Sequence, residues 1–491
     1  MSGKSLLIGW AQGETTPDLK NGKTVNILGQ FHMRPAEGVA DPLTATVLAI
    51  TSGAESTIII SSDIGLIPQE MSTGLAAAIK ALNPEIPTEK ILLSATHIHT
   101  GPDVAVDAWS MNVPEIKTQA ENVAEWITRV APIVVAAWHA RQPGALAWGY
   151  GYAVLGHNRR VVYFDDLSRR AGYVDASGTC TVRNAVMYGT INDSQFSHFE
   201  GYDDHTVQTL FTFDAHHHLT GMLINAPVTA QETETLMVLS ADFWHETRIE
   251  LRKKFGAHVF VLPQVAAAGD LSPHVLLNRK AEDRMNALKG VSTRQEIANR
   301  IVAAVAEIFN AAKKDIRDEA VVRHLNAIFS IQRRMITEPE YFKAKNDIEE
   351  LQRIPASQAA TPQQRLQEDS VLFARMSRCQ SVVDNWKQQQ KESRLAVGCS
   401  LIRIGDVAFA SNRFEPFCEF GHRIQARSPA LQTFVVQLAG GVGPLGSYIP
   451  CQRALTGEGY SANVYCNRIG PEGGQEMVEA TLKALAQFWN E

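Results

Sequence analysis

Two stretches of this 491-residue sequence gather side chains able to bind a metal, move a proton or attack a carbonyl. In Ser94-Ala95-Thr96-His97-Ile98-His99-Thr100-Gly101-Pro102, two imidazoles stand two residues apart at the end of an apolar run. Residues two apart on a strand share a face, so both rings are expected at the strand's C-terminal edge, where open α/β sheets hold their ligands. One ring then binds metal while the other contacts substrate; the alternative is a loop in which both are satisfied by backbone. Asp63, ending Ser61-Ser62-Asp63, is expected at the same edge, either fixing a histidine tautomer as its acceptor or capping the turn before Gly65. In Ala266-Ala267-Ala268-Gly269-Asp270-Leu271-Ser272-Pro273-His274, small residues allow close backbone approach and are followed by Asp, Ser and His. Ser272 is a candidate nucleophile, or a group that positions a water molecule, although the string is also a good turn. Asp242, His245 and Glu246 have helical spacing that presents ligands together, or else form an ordinary acidic helix start. His216, His217 and His218 lie where a solvated hairpin turn belongs.

The elements that must position these residues alternate. Val47 to Ile67 reads as strand, with a turn at Ser52-Gly53; residues 69–82 read as helix and Lys90 to Thr96 as a second buried strand. Helices follow over 115–140, 240–256 and 294–313, and strands over 145–153, 207–228 and 259–265. Between about 314 and 395, Lys, Arg, Glu and Gln dominate, which reads as a mostly helical, solvated insertion or lid. Strand character returns in Leu401 to Ala410 and Phe434 to Leu438. The expectation is an α/β fold with a mixed β-sheet core flanked by helices, in one domain over 1–491 without linker or repeat.

Composition narrows the partners. A formal net charge of -6, with no basic stripe, argues against nucleic acid. The apolar N-terminal stretch is too short for a signal h-region, and no apolar run approaches the roughly 18–20 residues of a membrane span. Six cysteines without a C-x-x-C pair fit reduced thiols in a cytoplasm rather than a disulfide framework. A small-molecule substrate is the expected partner, and an oligomer is compatible with the sequence.

Ala95-Thr96-His97-Ile98-His99-Thr100-Gly101-Pro102 resembles the Ala-Thr-His-Thr-His-Ser-Gly-Pro signature of neutral, non-lysosomal ceramidases. Gly269-Asp270-Leu271-Ser272-Pro273-His274 resembles their Gly-Asp-Val-Ser-Pro-Asn. Weaker likenesses lie at Phe31-His32-Met33-Arg34, Ser62-Asp63-Ile64-Gly65, Asn158-Arg159-Arg160, Phe414-Glu415-Pro416-Phe417, Gly421-His422-Arg423 and Ser447-Tyr448-Ile449-Pro450. The resemblance spans about residues 6–480 and implies one divalent metal, zinc in that family, with His97, Glu415 and Tyr448 as ligands. It also implies that Ser272 takes the catalytic serine position, and that His99, Arg159 and Tyr460 hold the amide carbonyl and substrate hydroxyls. Asp270 belongs to the same catalytic string.

Two departures qualify this. Where the family supplies a second histidine to zinc, the chain has Thr229, in Pro227-Val228-Thr229-Ala230-Gln231-Glu232. Asp63, Gln231, Asp242 or His245 are then substitute ligands, or His99 turns inward. The family's C-terminal immunoglobulin-like domain is also absent, and Trp109 with the charged segment after 314 is expected to shape a pocket for a smaller, polar molecule. The expected activity is metal-dependent cleavage of an amide by a metal-activated water or Ser272. The alternatives are a hydrolase or lyase acting on a sugar or cyclic metabolite, and a non-enzymatic homologue that binds a small ligand.

Overall fold

In the strand Thr44–Ser52, Val47 and Ala49 face one side and Leu48 and Ile50 the other, and all four are fully buried. The neighbouring strand Glu55–Ser62 splits likewise, Ile58 and Ile60 against Ile59. A strand covered on both faces needs apolar residues at every position, which accounts for the continuous runs in the sequence. The computed structural model describes residues 3–19, 22–105, 110–171, 173 and 181–490, so Trp109 lies outside the described residues.

These strands belong to a nine-stranded mixed sheet. Its order is Phe260–Val265, Leu219–Ala226, Thr206–Asp214, Gln142–Tyr152, Lys4–Glu14, Thr44–Ser52, Glu55–Ser62 and Ile91–Ala95, with Glu319–Ala320 paired to Lys4–Glu14. The outermost pair at each end is parallel and the pairs between are antiparallel. Helices Gln69–Leu82 and Gln119–His139 cover one half of its outer face, and Phe243–Phe255 and Thr293–Ala312 the other. The inner face packs Trp10, Leu48, Ile50 and Leu223 against Ile402, Phe409 and Phe434 of a four-stranded sheet: Val322–Gln332, Arg394–Ile404, Val407–Ser411 and Gln432–Val436. Beyond that sheet lie helices Cys418–Arg427 and Pro471–Ala486, so the layers run helix, sheet, sheet, helix.

The expected α/β core is therefore present, and His216–His218 form the turn between Thr206–Asp214 and Leu219–Ala226 as read. One detail differs. The segment 314–395 opens with the strand Val322–Gln332 before its helices Glu338–Leu351 and Pro362–Gln389. This edge strand leaves Asn326, Ile328, Ser330 and Gln332 exposed while Leu325, Ala327, Phe329 and Ile331 pack inward, so polar residues at three of the four outward positions break up its apolar signal. Both helices start at capping boxes, Thr337 with Glu340 and Thr361 with Gln364. The strand character read over Leu401 to Ala410 is present, divided between two strands that turn at Gly405-Asp406, where Gly405 has a φ of 60°. Among the described residues no helix is long and apolar enough to cross a membrane.

Asp63, at the end of Glu55–Ser62, is wholly buried and paired with Arg248 of helix Phe243–Phe255 at 2.7 and 2.9 Å. It also accepts from the Thr44 amide at 2.9 Å and the Thr96 hydroxyl at 3.2 Å. Removing the cation alone strands a buried carboxylate. Arg248→Ala is therefore expected to destabilise the fold by roughly 3–5 kcal/mol, and Asp63→Asn with Arg248→Met by much less, as read from chemical denaturation.

Candidate active site

Four connections meet at one end of the two sheets. The segment after Ile91–Ala95 carries His97 and His99, and the one after Leu219–Ala226 carries Thr229 to Glu234. The segment after Phe260–Val265 carries Asp270 and Ser272, and the one after Val407–Ser411 leads to Glu415. Backbone bonds knit them: His99 N to Ala230 O, Ala230 N to Thr96 O, Ala95 N to Leu438 O and Gly269 N to Pro416 O. A Cβ at Gly269 would collide with the Glu415 carbonyl, so only glycine permits this approach. The short strand Glu415–Pro416 pairs in parallel with Tyr448–Ile449, which sets Glu415 beside Tyr448.

His97 lies just past the strand in a left-handed conformation, φ 59°. The two histidines therefore meet through the loop and not as alternate strand residues; their rings stand 4.8 Å apart at 83°. His97 Nδ1 faces the Gly65 carbonyl at 2.6 Å, which as a pure acceptor requires a proton on that nitrogen. His99 Nδ1 likewise faces the Glu234 carboxylate at 2.9 Å, and burial, partly offset by Glu234, lowers the His99 pKa. In the neutral rings both Nε2 atoms are then lone-pair acceptors. They stand 3.3 Å from each other, and His97 Nε2 is also 3.3 Å from Glu415 Oε2, a buried atom that accepts no hydrogen bond. With both rings neutral these three atoms present lone pairs to one another, an arrangement that a proton on one ring or a bound cation relieves.

Beside it lies the opposite deficit. Arg159 is 2% exposed and donates to the Tyr188 hydroxyl at 2.8 Å, Gln231 Oε1 at 3.2 Å and the Gly269 carbonyl at 3.1 Å. Among the described residues it has no carboxylate partner within ion-pairing distance. Burial opposes its charge, but the Tyr188, Tyr448 and Glu415 oxygens outweigh this and raise its pKa. A buried guanidinium without a counter-ion is a standing attraction for an anion. Tyr448 and Tyr460 place their hydroxyls 3.3 Å apart, and burial followed by Glu415 pushes the Tyr448 phenol above its usual range. Ser272 is fully buried, its Oγ accepting from the His274 amide at 3.3 Å, with Tyr188 as its hydroxyl neighbour. Among the described residues no imidazole contacts that oxygen, so Ser272 lacks the adjacent base of a catalytic triad.

The donor chemistry suits a divalent cation held by His97 Nε2, Glu415 Oε2 and the Tyr448 oxygen. Among the described residues no three His, Cys, Asp or Glu side chains form a group that could hold a metal ion by themselves. The fold is shared with neutral ceramidases. Neutral ceramidase from Pseudomonas aeruginosa superposes with a TM-score of 0.65 at 17% identity, covering 99% of this chain and 74% of that one. A ceramidase complexed with C2 gives 0.64 at 15%, covering 99% and 76%. No family model matches the sequence, and no curated protein matches it.

The fold thus brings together His97, His99, Arg159, Gln231, Ser272, Glu415, Tyr448 and Tyr460. It leaves three candidate ligands outside. Asp63 is consumed by Arg248, and the His97 tautomer is set by Gly65 in its place. Asp242 caps helix Phe243–Phe255 through the Phe243 amide and binds the amide and hydroxyl of Thr233. His245, in the first turn of that helix, makes no hydrogen bond with either histidine among the described residues. Asp270 is a buried tether: it accepts from Cys418 N at 2.8 Å and Asn158 Nδ2 at 3.0 Å, and burial raises its carboxyl to about 6.

Sequence reasoning missed Glu234, which bridges His99 Nδ1 and, at 3.2 Å, His274 Nε2, and it missed Tyr188. The available signal was the pair of carboxylates in Gln231-Glu232-Thr233-Glu234, directly after a strand end. Glu232 lies 3.5 Å from His274 Nδ1. Burial first, and then Asp242, push its carboxyl up to about 7 against the pull of His274. The folded chain therefore keeps a proton that the unfolded chain loses above about pH 4.5, and this contribution to stability falls as pH rises towards 7. Glu232→Gln should lessen that fall, so thermal midpoints of variant and wild type are expected to diverge in the variant's favour between pH 5 and pH 8.

Proposed function

We propose that the chain is a metal-dependent hydrolase that cleaves the amide (C–N) bond of a small or amphiphilic substrate. The observation carrying this reading is the pairing of two unmet charges in one site: converging acceptors at His97, His99 and Glu415 that call for a cation, and the buried Arg159 that calls for an anion. A carbonyl undergoing hydrolysis meets both demands, because its oxygen turns anionic as water adds. The fold shared with proteins named as ceramidases supports amide cleavage in particular.

A divalent cation held by His97, Glu415 and Tyr448 would supply Lewis acidity and ease the ionisation of a water molecule. The chain's own groups do the rest. Neutral His99, its Nδ1 proton fixed by Glu234, takes a proton from the attacking water at Nε2 and returns it to the leaving amine. Glu234 stabilises the imidazolium between those steps, while Arg159 and the Tyr188 hydroxyl face the developing oxyanion. Ser272, lacking a base, orients water or substrate through its hydroxyl and does not attack.

The test is elemental analysis of tag-free protein, wild type beside His97→Ala and Glu415→Ala, together with an amide-hydrolysis assay. About one equivalent of zinc in wild type, lost in both variants along with activity, is expected; wild type that neither carries nor gains metal overturns the reading. Arg159→Met should lower kcat by about 100-fold or more, and Glu234→Gln by about 10-fold with the metal content kept.

A further inference from the structure

A cavity of about 300 Å3 ends on Glu415 and Tyr448, and its far wall comes from helix Pro362–Gln389. Ser377, Ser381 and Asn385, spaced at four-residue intervals, form one stripe of that helix along the cavity, so the helix turns small polar residues towards it. Its Ala374, Cys379, Val382 and Val383 are buried, the last three packing against helix Glu338–Leu351. Besides Glu415, the charged side chains lining the cavity are Arg378 and Arg468. Arg468 donates to Ser381 Oγ at 2.9 Å and, among the described residues, has no carboxylate within ion-pairing distance. Burial and the nearby Arg333 both work against its charge, which lowers its pKa. The Arg378 guanidinium lies over the rings of Phe31 at 4.9 Å and Tyr460 at 5.4 Å, which fixes its plane at the cavity wall. Only two aliphatic side chains, Leu445 and Val464, face this space among the described residues, too few to enclose an acyl chain.

We propose that this cavity is a subsite for a carboxylate, taken by Arg468 with Arg378, and that the substrate is a small amide carrying a free carboxyl group, such as an N-acyl amino acid, in place of a neutral lipid. The substrate assignment rests on the amide-hydrolase reading above, but the binding site does not. A planar guanidinium meets a carboxylate with two parallel hydrogen bonds, and Arg468, with no carboxylate within ion-pairing distance among the described residues and with Glu415 at the other end of the cavity, gains most from that ligand. The cavity volume suits a molecule of amino-acid size. The amide of such a ligand then lies towards Glu415 and Tyr448.

Calorimetric titration with N-acetyl-L-glutamate and with its dimethyl ester separates these claims. The acid should bind at least about ten-fold tighter than the ester, the worth of a charge-assisted hydrogen bond. That preference should vanish in Arg468→Gln and persist in part in Arg468→Lys, with thermal melting used to verify that both variants fold. Equal binding of acid and ester, absence of binding by either, or a preference unchanged in folded Arg468→Gln overturns the proposal. Hydrolysis is followed separately on N-acyl amino acids, their esters and neutral N-acyl amides. Turnover that favours neutral amides overturns the substrate assignment while leaving amide hydrolysis intact. An acid preference that depends on Arg468, with no amide cleaved, sinks the hydrolase reading and leaves the carboxylate subsite standing.

Discussion

The buried pair of Asp63 and Arg248 is the constraint on which the rest of the molecule is arranged. Its four hydrogen bonds join the end of Glu55–Ser62, the start of Thr44–Ser52, Thr96 in the loop bearing the histidines, and helix Phe243–Phe255. An apolar pair could pack there at lower desolvation cost, but it would not direct those four segments to one point. From that point the Thr96–Pro102 segment leaves the sheet. The helix that carries Arg248 begins at Asp242, which holds Thr233 and with it the acidic loop. The pair thereby links the two halves of the site, although neither member touches it.

The site itself is built from unmet demands of opposite sign at short range. Carbonyl and carboxylate acceptors behind His97 and His99 fix both Nδ1 protons, and the price is a pair of Nε2 lone pairs facing each other beside Glu415. Relief would be simple if Arg159 reached Glu415, yet its two terminal nitrogens bond Tyr188, Gln231 and Gly269, and only its Nε is left without a partner. Left-handed backbone at His97, Tyr188 and Leu438, none of them glycine, borders the same site. Strain and uncancelled charge of this kind persist where the surrounding packing over-determines them, and both layers of sheet end here. A core assembled for stability alone would have cancelled the charges.

What the sequence disclosed follows from how far each signal reaches. Continuous apolar strands such as Thr44–Ser52 and Ile91–Ala95 announced a sheet covered on both faces, and His97 with His99 announced its chemical edge. The two rings do meet, but not by the expected geometry, since period-two logic fails once the chain leaves the strand at Ala95. The edge strand Val322–Gln332 was hidden because one face of it meets solvent. Glu234 and Arg248 were invisible for a different reason. Their partners lie 135 and 185 positions away, and nothing local separates them from ordinary surface charges.

The loop from Thr229 to Glu234 shows how one departure reorganises its surroundings. Where the ceramidase resemblance expects an imidazole, the Thr229 hydroxyl donates to Gln231 Oε1 at 2.7 Å, and Gln231 Nε2 reaches the Tyr188 hydroxyl at 2.6 Å and Glu234 at 3.2 Å. In this chain the position is a hydrogen-bonded strut, and it reaches the carboxylate behind His99. Glu234, accepting from Nδ1, makes the opposite nitrogen of His99 a stronger base for the proton transfer proposed above. The same carboxylate binds His274 and raises its pKa despite burial, which ties the serine-bearing segment to the histidine loop through a single side chain. Thr229 is thus not an isolated side chain. It is one end of a network whose other end sets the protonation of the site.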